Sequence, residues 1–356
     1  MALCLLLSGF VIGTAALWAP LRQPVPPTTL AGNGTIPKQK RASGLGEDRE
    51  WRSGDAAPMA AFRQTAAFQD LRTRVFEAPD RFQLNEEQVE HHLAMRGRSL
   101  ASLLTAVRLS GNLDYLSEAA ERFPGNPEVL LEVAMRSKSP EERREALEAI
   151  RQADPQRSLA DYLLALEQAK EGDREAAMRT FLEAGGKAFL SHSNQKQAGG
   201  IEQAFADNGF PPLEAKFLGF ANIDIPESRS LLTLSYEMRA LQEDLLGNGD
   251  TAAAIQLAQA AGTLNQRIQQ EASYGNENLV GFDIEMALLE SLPPAANLAT
   301  GLTAGQRLAD LKKESAQVQN TMNYDKMNGR DLLEFYDLAK TQGELQAFQQ
   351  WNAQGR

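Results

Sequence analysis

Few residues of this 356-residue chain are chemically reactive, and they are the place to begin: it holds three histidines and one cysteine. His91 and His92 are adjacent. Successive helical positions point roughly 100° apart, so the pair cannot chelate one metal ion together. Glu87 lies one turn before His91, which gives two ligands and no third. The expectation is a polar helix face and no metal. His192 stands between Ser191 and Ser193. No Gly-x-Ser-x-Gly elbow or carrier strand accompanies it. Sequence neighbours rarely reach nucleophile–base geometry, so a polar loop cluster is expected. Cys4 sits inside an apolar leader, so a chain cleaved after that leader has no thiol for disulfides, thiolate catalysis or zinc. No Gly-x4-Gly-Lys phosphate loop is present. Glu141, Glu142 and Glu145 fall at solvent-facing helical positions. No catalytic residue, metal or cofactor is therefore expected.

Charge narrows the partners. The net charge is −11. The first 59 residues carry +2 and the remainder −13. An acidic body without a basic stripe repels a phosphate backbone, which argues against nucleic acid.

The elements that would position a site are helices. Ala, Leu, Glu and Gln are abundant while aromatics make up only 7%, a helix-forming composition. Residues 1–21 hold no charge before Arg22 and are long enough to span a bilayer, so they read as a signal peptide or membrane anchor. That implies export, with the body periplasmic or anchored to the inner membrane facing the periplasm; the basic residues after the segment leave the topology open. Residues 22–57, rich in Pro, Gly and charge, read as a tether. "PMAAFRQTAAFQDLRTRVF" places Phe62, Ala66, Leu71 and Val75 on one helical face. Asn85 is a predicted N-cap, and Ser139-Pro140 with Glu142 a predicted capping box. Residues 58–190 form the first set of helical hairpins. The Gly-, Asn- and Ser-rich residues 191–211 read as a break. Residues 212–356 form a second set, with a hairpin turning at Gly247-Asn248-Gly249 and a last pair ending in Leu345, Phe348 and Trp351, read as a docking face. The nearest strand candidate, "FANIDIP", is too short to seed a sheet, so no significant β-structure is expected.

Residues 158–189 resemble a tetratricopeptide repeat. Leu164 and Ala165 match the Leu-small pair of its first helix, Gly172 sits in the turn, and Ala177, Phe181 and Ala184 match its second helix. Asp161, Gln168 and Phe189 depart from the pattern's aromatic, Tyr and Pro. The resemblance implies an all-α superhelix of α-α hairpins whose first helices line a concave groove. Tyr162 and Lys170 would then fall near that groove; for Tyr162 the alternative is packing against the neighbouring hairpin. The function expected is a non-enzymatic scaffold that binds a protein or peptide, with the membrane engaged only through the N-terminal segment. The alternatives are an enzyme with dispersed carboxylates in a helical toroid and a self-associating structural protein of the envelope.

Overall fold

The computed structural model describes residues 82–190, 195–324 and 327–354, with Leu71, Thr73 and Arg74 before them. The expectations for the apolar leader, the tether, Phe62, Ala66, Val75 and His192 lie outside the described residues. Among the described residues every regular element is helical, and only isolated β-bridges occur, at Arg157–Phe189 and Asn297–Thr303.

The helices are α1 (Glu86–Met95), α2 (Leu100–Ser110), α3 (Leu113–Arg122), α4 (Pro127–Arg136), α5 (Pro140–Ala153), α6 (Leu159–Lys170) and α7 (Arg174–Gly185). After them come α8 (Gln195–Asp207), α9 (Pro212–Ala221), α10 (Pro226–Gly247), α11 (Thr251–Glu271), α12 (Gly275–Leu289), α13 (Ala304–Thr321), α14 (Gly329–Gln342) and α15 (Glu344–Ala353). Side-chain caps start many of them. Asn85, Ser99, Asn126, Ser139, Asp173, Asp250 and Thr303 each accept a backbone N–H that the first turn leaves without a partner. Gly111 closes α2 in the left-handed region at φ 69°, and Gly172 turns α6 into α7 at φ 84°.

From α1 to α7 each helix packs on the next, as short connections require. The second half does not simply extend this row. α10 docks on α6 and α11 on α7, α12 lies on α10 and α11, and α13 lies on α12. α15 meets α13, α14 meets α8 and α9, and α8 returns to α1 and α2. The path of contacts therefore closes on itself instead of running on as an open superhelix.

The helix that closes it, α8, occupies the segment expected to be a break. Its glycines suggested a loop, but Ala198, Ile201, Ala204 and Phe205 recur at helical spacing and are buried. The glycines serve close approach. A Cβ on Gly200 would lie 2.5 Å from Thr105 Oγ1 of α2, and one on Gly219 of α9 would lie 2.8 Å from the Ala198 carbonyl oxygen. Composition was a misleading guide here because tight helix crossings and loops both select glycine.

Among the described residues, three apolar clusters form the core. The largest joins α4–α7 to α10–α13. A second, rich in aromatics, joins α8, α9, α14 and α15 and includes Leu71. The third lies among α1–α4. Leu71 is fully buried there, and the nearby Arg74 Nη1 donates to Glu214 Oε1 at 2.6 Å.

Candidate functional site: an amide-lined cleft

α11 changes character along its length. Ala254, Ala258 and Ala261 in its first half are buried, which lets α10 and α12 approach closely. Its second half reads Asn265-Gln266-Arg267-Ile268-Gln269-Gln270. Ile268 joins the core. Arg267 is also buried, and its Nη1 and Nη2 donate to the carbonyl oxygens of Ala184 and Gly185 at 2.8 Å each. These are the last carbonyls of α7, so the guanidinium meets the negative end of a helix dipole.

The amides face the other way and begin a polar network. Asn265 Nδ2 donates to Glu285 Oε2 of α12 at 2.6 Å. Arg307 of α13 grips the same carboxylate with two groups, Nε to Oε1 at 2.7 Å and Nη2 to Oε2 at 3.0 Å. This fork-on-fork geometry is the strong form of the pair. Its Nη1 reaches Glu314 Oε1 at 3.2 Å. The hydrogen bonds to Glu285 hold the Arg307 guanidinium above its ordinary pKa. Gln269 Nε2 donates to Asn265 Oδ1 at 3.0 Å and to the Asn278 carbonyl at 2.8 Å. Gly281 makes room for this layer, since a Cβ there would lie 2.6 Å from Asn265 Oδ1.

α11, α13 and α15, with Phe282 of α12, border an open cleft of about 530 Å³ over this network. Its size falls within the roughly 300–1,000 Å³ of ligand sites. Asn265, Gln266, Gln269, Gln270, Gln317 and Gln349 bring six carboxamides to it. Val318 and Leu345 add half-buried apolar surface, and the lining residue Phe282 is 4% exposed. A carboxamide donates and accepts hydrogen bonds but does not titrate, so this lining suits recognition of neutral polar groups and not proton transfer.

Beside the cleft, Glu344 joins α15 to α12. Its Oε2 accepts the Gly275 N–H at 2.6 Å, and its own N–H donates to the Ser273 carbonyl at 2.8 Å. Burial pushes the Glu344 carboxyl up to about 7; the Gly275 hydrogen bond opposes this and the neighbouring Glu277 charge adds to it. Glu277 Oε2 accepts the N–H groups of Ser273 and Tyr274 at 2.8 and 2.9 Å.

A separate cluster surrounds His92. The adjacent histidines divide between faces as helical geometry requires, with His91 exposed and His92 2% exposed. The expected polar face is therefore correct for His91 and wrong for His92, whose side of α1 is covered by α8. His92 Nδ1 lies 2.8 Å from Asp207 Oδ2 on α8, and Arg96 Nε donates to the same oxygen at 2.9 Å. The Asp207 carboxyl lies low, at about 2; burial works against this, and the hydrogen bonds from Arg96, His92 and Gln203 outweigh it. No cluster of three metal-ligating side chains occurs among the described residues.

Sequence reasoning also missed a repeated device in the first hairpins. Glu132 on α4 and Glu167 on α6 are both buried to 7% exposure. Each takes an arginine from an earlier helix: Arg108 Nε at 2.6 Å for Glu132, Arg143 Nε and Nη2 at 3.0 and 2.6 Å for Glu167. Each also takes a cation from the next turn of its own helix, Arg136 or Lys170. The signal was available as a glutamate followed three or four residues later by a cation, in two consecutive hairpins.

Of the residues singled out from the repeat pattern, Leu164, Ala165, Ala177, Phe181 and Ala184 are buried, and Gly172 is in the turn. Tyr162 has no exposed surface and meets Phe181 edge-on at 5.4 Å, so it packs between helices and offers no groove surface. Lys170 remains half-exposed and lines a smaller cleft of about 230 Å³ with Arg143, Glu167 and Ser230. Phe348 and Trp351 are buried in the aromatic cluster, while Leu345 reaches the amide-lined cleft. The structure does not bring Tyr162 and Lys170 to one accessible site, and it builds the larger cleft from residues of the second half.

No family model matches this chain, and neither a curated protein nor a solved structure matches it. No helix among the described residues is long and apolar enough to cross a membrane.

Proposed function

We propose that the protein is a non-enzymatic interaction scaffold of the cell envelope that binds a protein or peptide partner in the cleft between α11, α13 and α15. The observation that carries this reading is the lining. Six carboxamides converge on one concavity, and its two charged lining groups, Arg307 and Glu314, answer one another. In the same proposal, α4–α7 are tetratricopeptide-like hairpins that serve as the rigid support. The apolar residues 1–21 export or anchor the chain.

The enzymatic alternative asks for two carboxyls of raised pKa in one cleft. Burial raises Asp283 to about 6 and Glu344 to about 7, yet neither lines the cleft. Recognition is the better-supported use of the site.

In-cell photo-crosslinking tests the proposal. A crosslinking residue placed at Gln270 is expected to yield a discrete adduct that mass spectrometry identifies, while the same residue at Glu175, exposed on α7, yields none. Equal adducts at both positions, or none at Gln270, overturn it.

A further inference from the structure

We infer that the cleft holds an extended, uncharged peptide segment and reads it through its main chain. This rests on the recognition function proposed above and names the ligand class for that same site.

The carboxamides of the cleft form two rows on α11. Asn265 and Gln269 make the inner row and are fixed by the network beneath them. Gln269 has given its Nε2 to Asn265 and Asn278, which leaves Oε1 with no partner among the described residues. Gln266 and Gln270 make the outer row, and Gln317 of α13 and Gln349 of α15 complete the lining. These four side chains are exposed and make no hydrogen bond among the described residues. A main-chain peptide unit presents one N–H and one C=O, and a carboxamide presents the complementary pair.

Spacing matches the rows to one backbone conformation. Residues four apart on a helix are separated by about 6 Å along its axis. In an extended chain, groups on one edge recur every two residues, at about 6.6–6.8 Å. Gln266 and Gln270, four apart, can therefore meet alternate peptide units with an adjustment well within the reach of a flexible glutamine. A helical ligand cannot be read in this way, because its interior N–H and C=O groups are consumed within the helix. A flat ring ligand needs an open aromatic face; Phe282 is the aromatic lining residue and it is 4% exposed.

Charge sets the second half of the inference. Arg307 and Glu314 hold one another, and Glu285 is engaged by both Asn265 and Arg307. A charged ligand side chain would therefore find no uncompensated counter-ion in this lining. Val318 and Leu345 offer apolar contact to the alternate side chains that an extended segment turns towards the wall.

The test uses the immobilised full-length protein and a displayed library of random ten-residue peptides. Enriched sequences are expected to lack Asp, Glu, Lys and Arg through their central positions. Synthetic copies should lose at least tenfold in affinity when alternate central amides are N-methylated. They should lose a similar factor on the Gln266→Ala/Gln270→Ala variant, whose exposed positions leave the core intact. Undiminished binding by N-methylated peptides, or enrichment of sequences with a fixed charged anchor, overturns the main-chain inference while leaving the cleft as a binding site. Equal binding to the wild-type chain, to that double variant and to Gln349→Ala shows that the cleft is not where peptides bind, which overturns the proposed function with it. Absence of any enrichment over the double variant does the same.

Discussion

The α6–α7 hairpin and the α11–α12 hairpin are both pairs of neighbouring helices in one apolar cluster, yet they are built differently at their crossings. Between α6 and α7 the crossing is dry, with Leu164, Ala165, Ala177, Phe181 and Ala184 buried, and their ion pairs sit beside it. Between α11 and α12, Asn265 and Glu285 meet inside the interface, at 1% and 4% exposure. A buried polar pair is costly unless every member finds a partner. Here the partners arrive from a third helix, as Arg307 of α13. The first hairpin thus keeps its crossing apolar and takes polar support at its edges, from Arg143 of α5 and Arg267 of α11, while the second carries a polar pair inside the crossing and opens it into a cleft. In the second pair the polar network reaches solvent through the crossing itself, whereas in the first the Arg143–Glu167–Lys170 network lies along the margin of the pair.

The greatest loss of stability should come from the dry crossing. Phe181→Ala removes a fully buried ring that meets Tyr162 edge-on. It should cost about 3–5 kcal/mol in urea denaturation at unchanged m-value. A loss under about 1 kcal/mol would mean that the hairpin is not packed as described.

The wet crossing should respond in a different pattern. Glu285→Leu leaves Asn265 and Arg307 without their acceptor and should cost about 2–4 kcal/mol. Adding Arg307→Met removes the stranded cation, and the double variant should recover at least half of that loss. Additive losses would show that the network contributes no coupled stability and would erase the contrast between the two hairpins.

Much of the first region was legible in the sequence because its signals are local. Asn85, Ser139 and Gly111 cap or close helices by contacts within a turn of themselves. Ala177, Phe181 and Ala184 bury themselves by period alone. The hairpin at Gly247-Asn248-Gly249 and the closing pair α14–α15 follow from the same rules. The candidate site was not legible. Asn265, Gln269, Glu285 and Arg307 are separated by up to 42 positions, and each is an ordinary polar residue on its own helix. Only tertiary packing makes two of them interior and aims the others at a cleft. His92 and α8 were misread for the same reason, since the partner that buries each is more than 90 residues away or hidden behind glycines.

The joint beside the cleft should also respond to acidity. Glu344 is raised from its ordinary 4.5 to about 7, with burial the leading cause. Between those values the native state holds a proton that the unfolded chain has released. Stability from this group is therefore complete below about pH 4.5 and declines as pH rises towards 7, by up to about 1.4 kcal/mol per unit. Asp283, raised to about 6, adds the same sign over a lower window that fades by about pH 7, so the Glu344 contribution is read as the difference between wild type and Glu344→Gln from pH 6 to 7.5. Glu344→Gln should flatten the stability profile there. Asp207 lies at about 2, against burial, through Arg96 and His92, and Glu118 of α3 at about 2 through the hydrogen bonds from Arg98, so their contribution is present above pH 4 and is lost on acidification. A Glu344→Gln profile parallel to wild type between pH 6 and 7.5 would remove the carboxyl as the source of the slope.

The smallest effect tests whether the first hairpin is as local as it looks. Gly172 has φ 84°, and a Cβ built there meets nothing within 4 Å. Gly172→Ala should therefore register backbone strain alone, about 1 kcal/mol, with no packing contribution. Gly172→Asn should cost less than the alanine variant, because a short polar side chain tolerates the left-handed region better. That ordering separates strain from contact. Were Asn as costly as Ala or costlier, the turn would be constrained by something besides its own dihedral, and the dependence on neighbours seen at α11–α12 would extend to the α6–α7 turn as well as to the hairpin's edges.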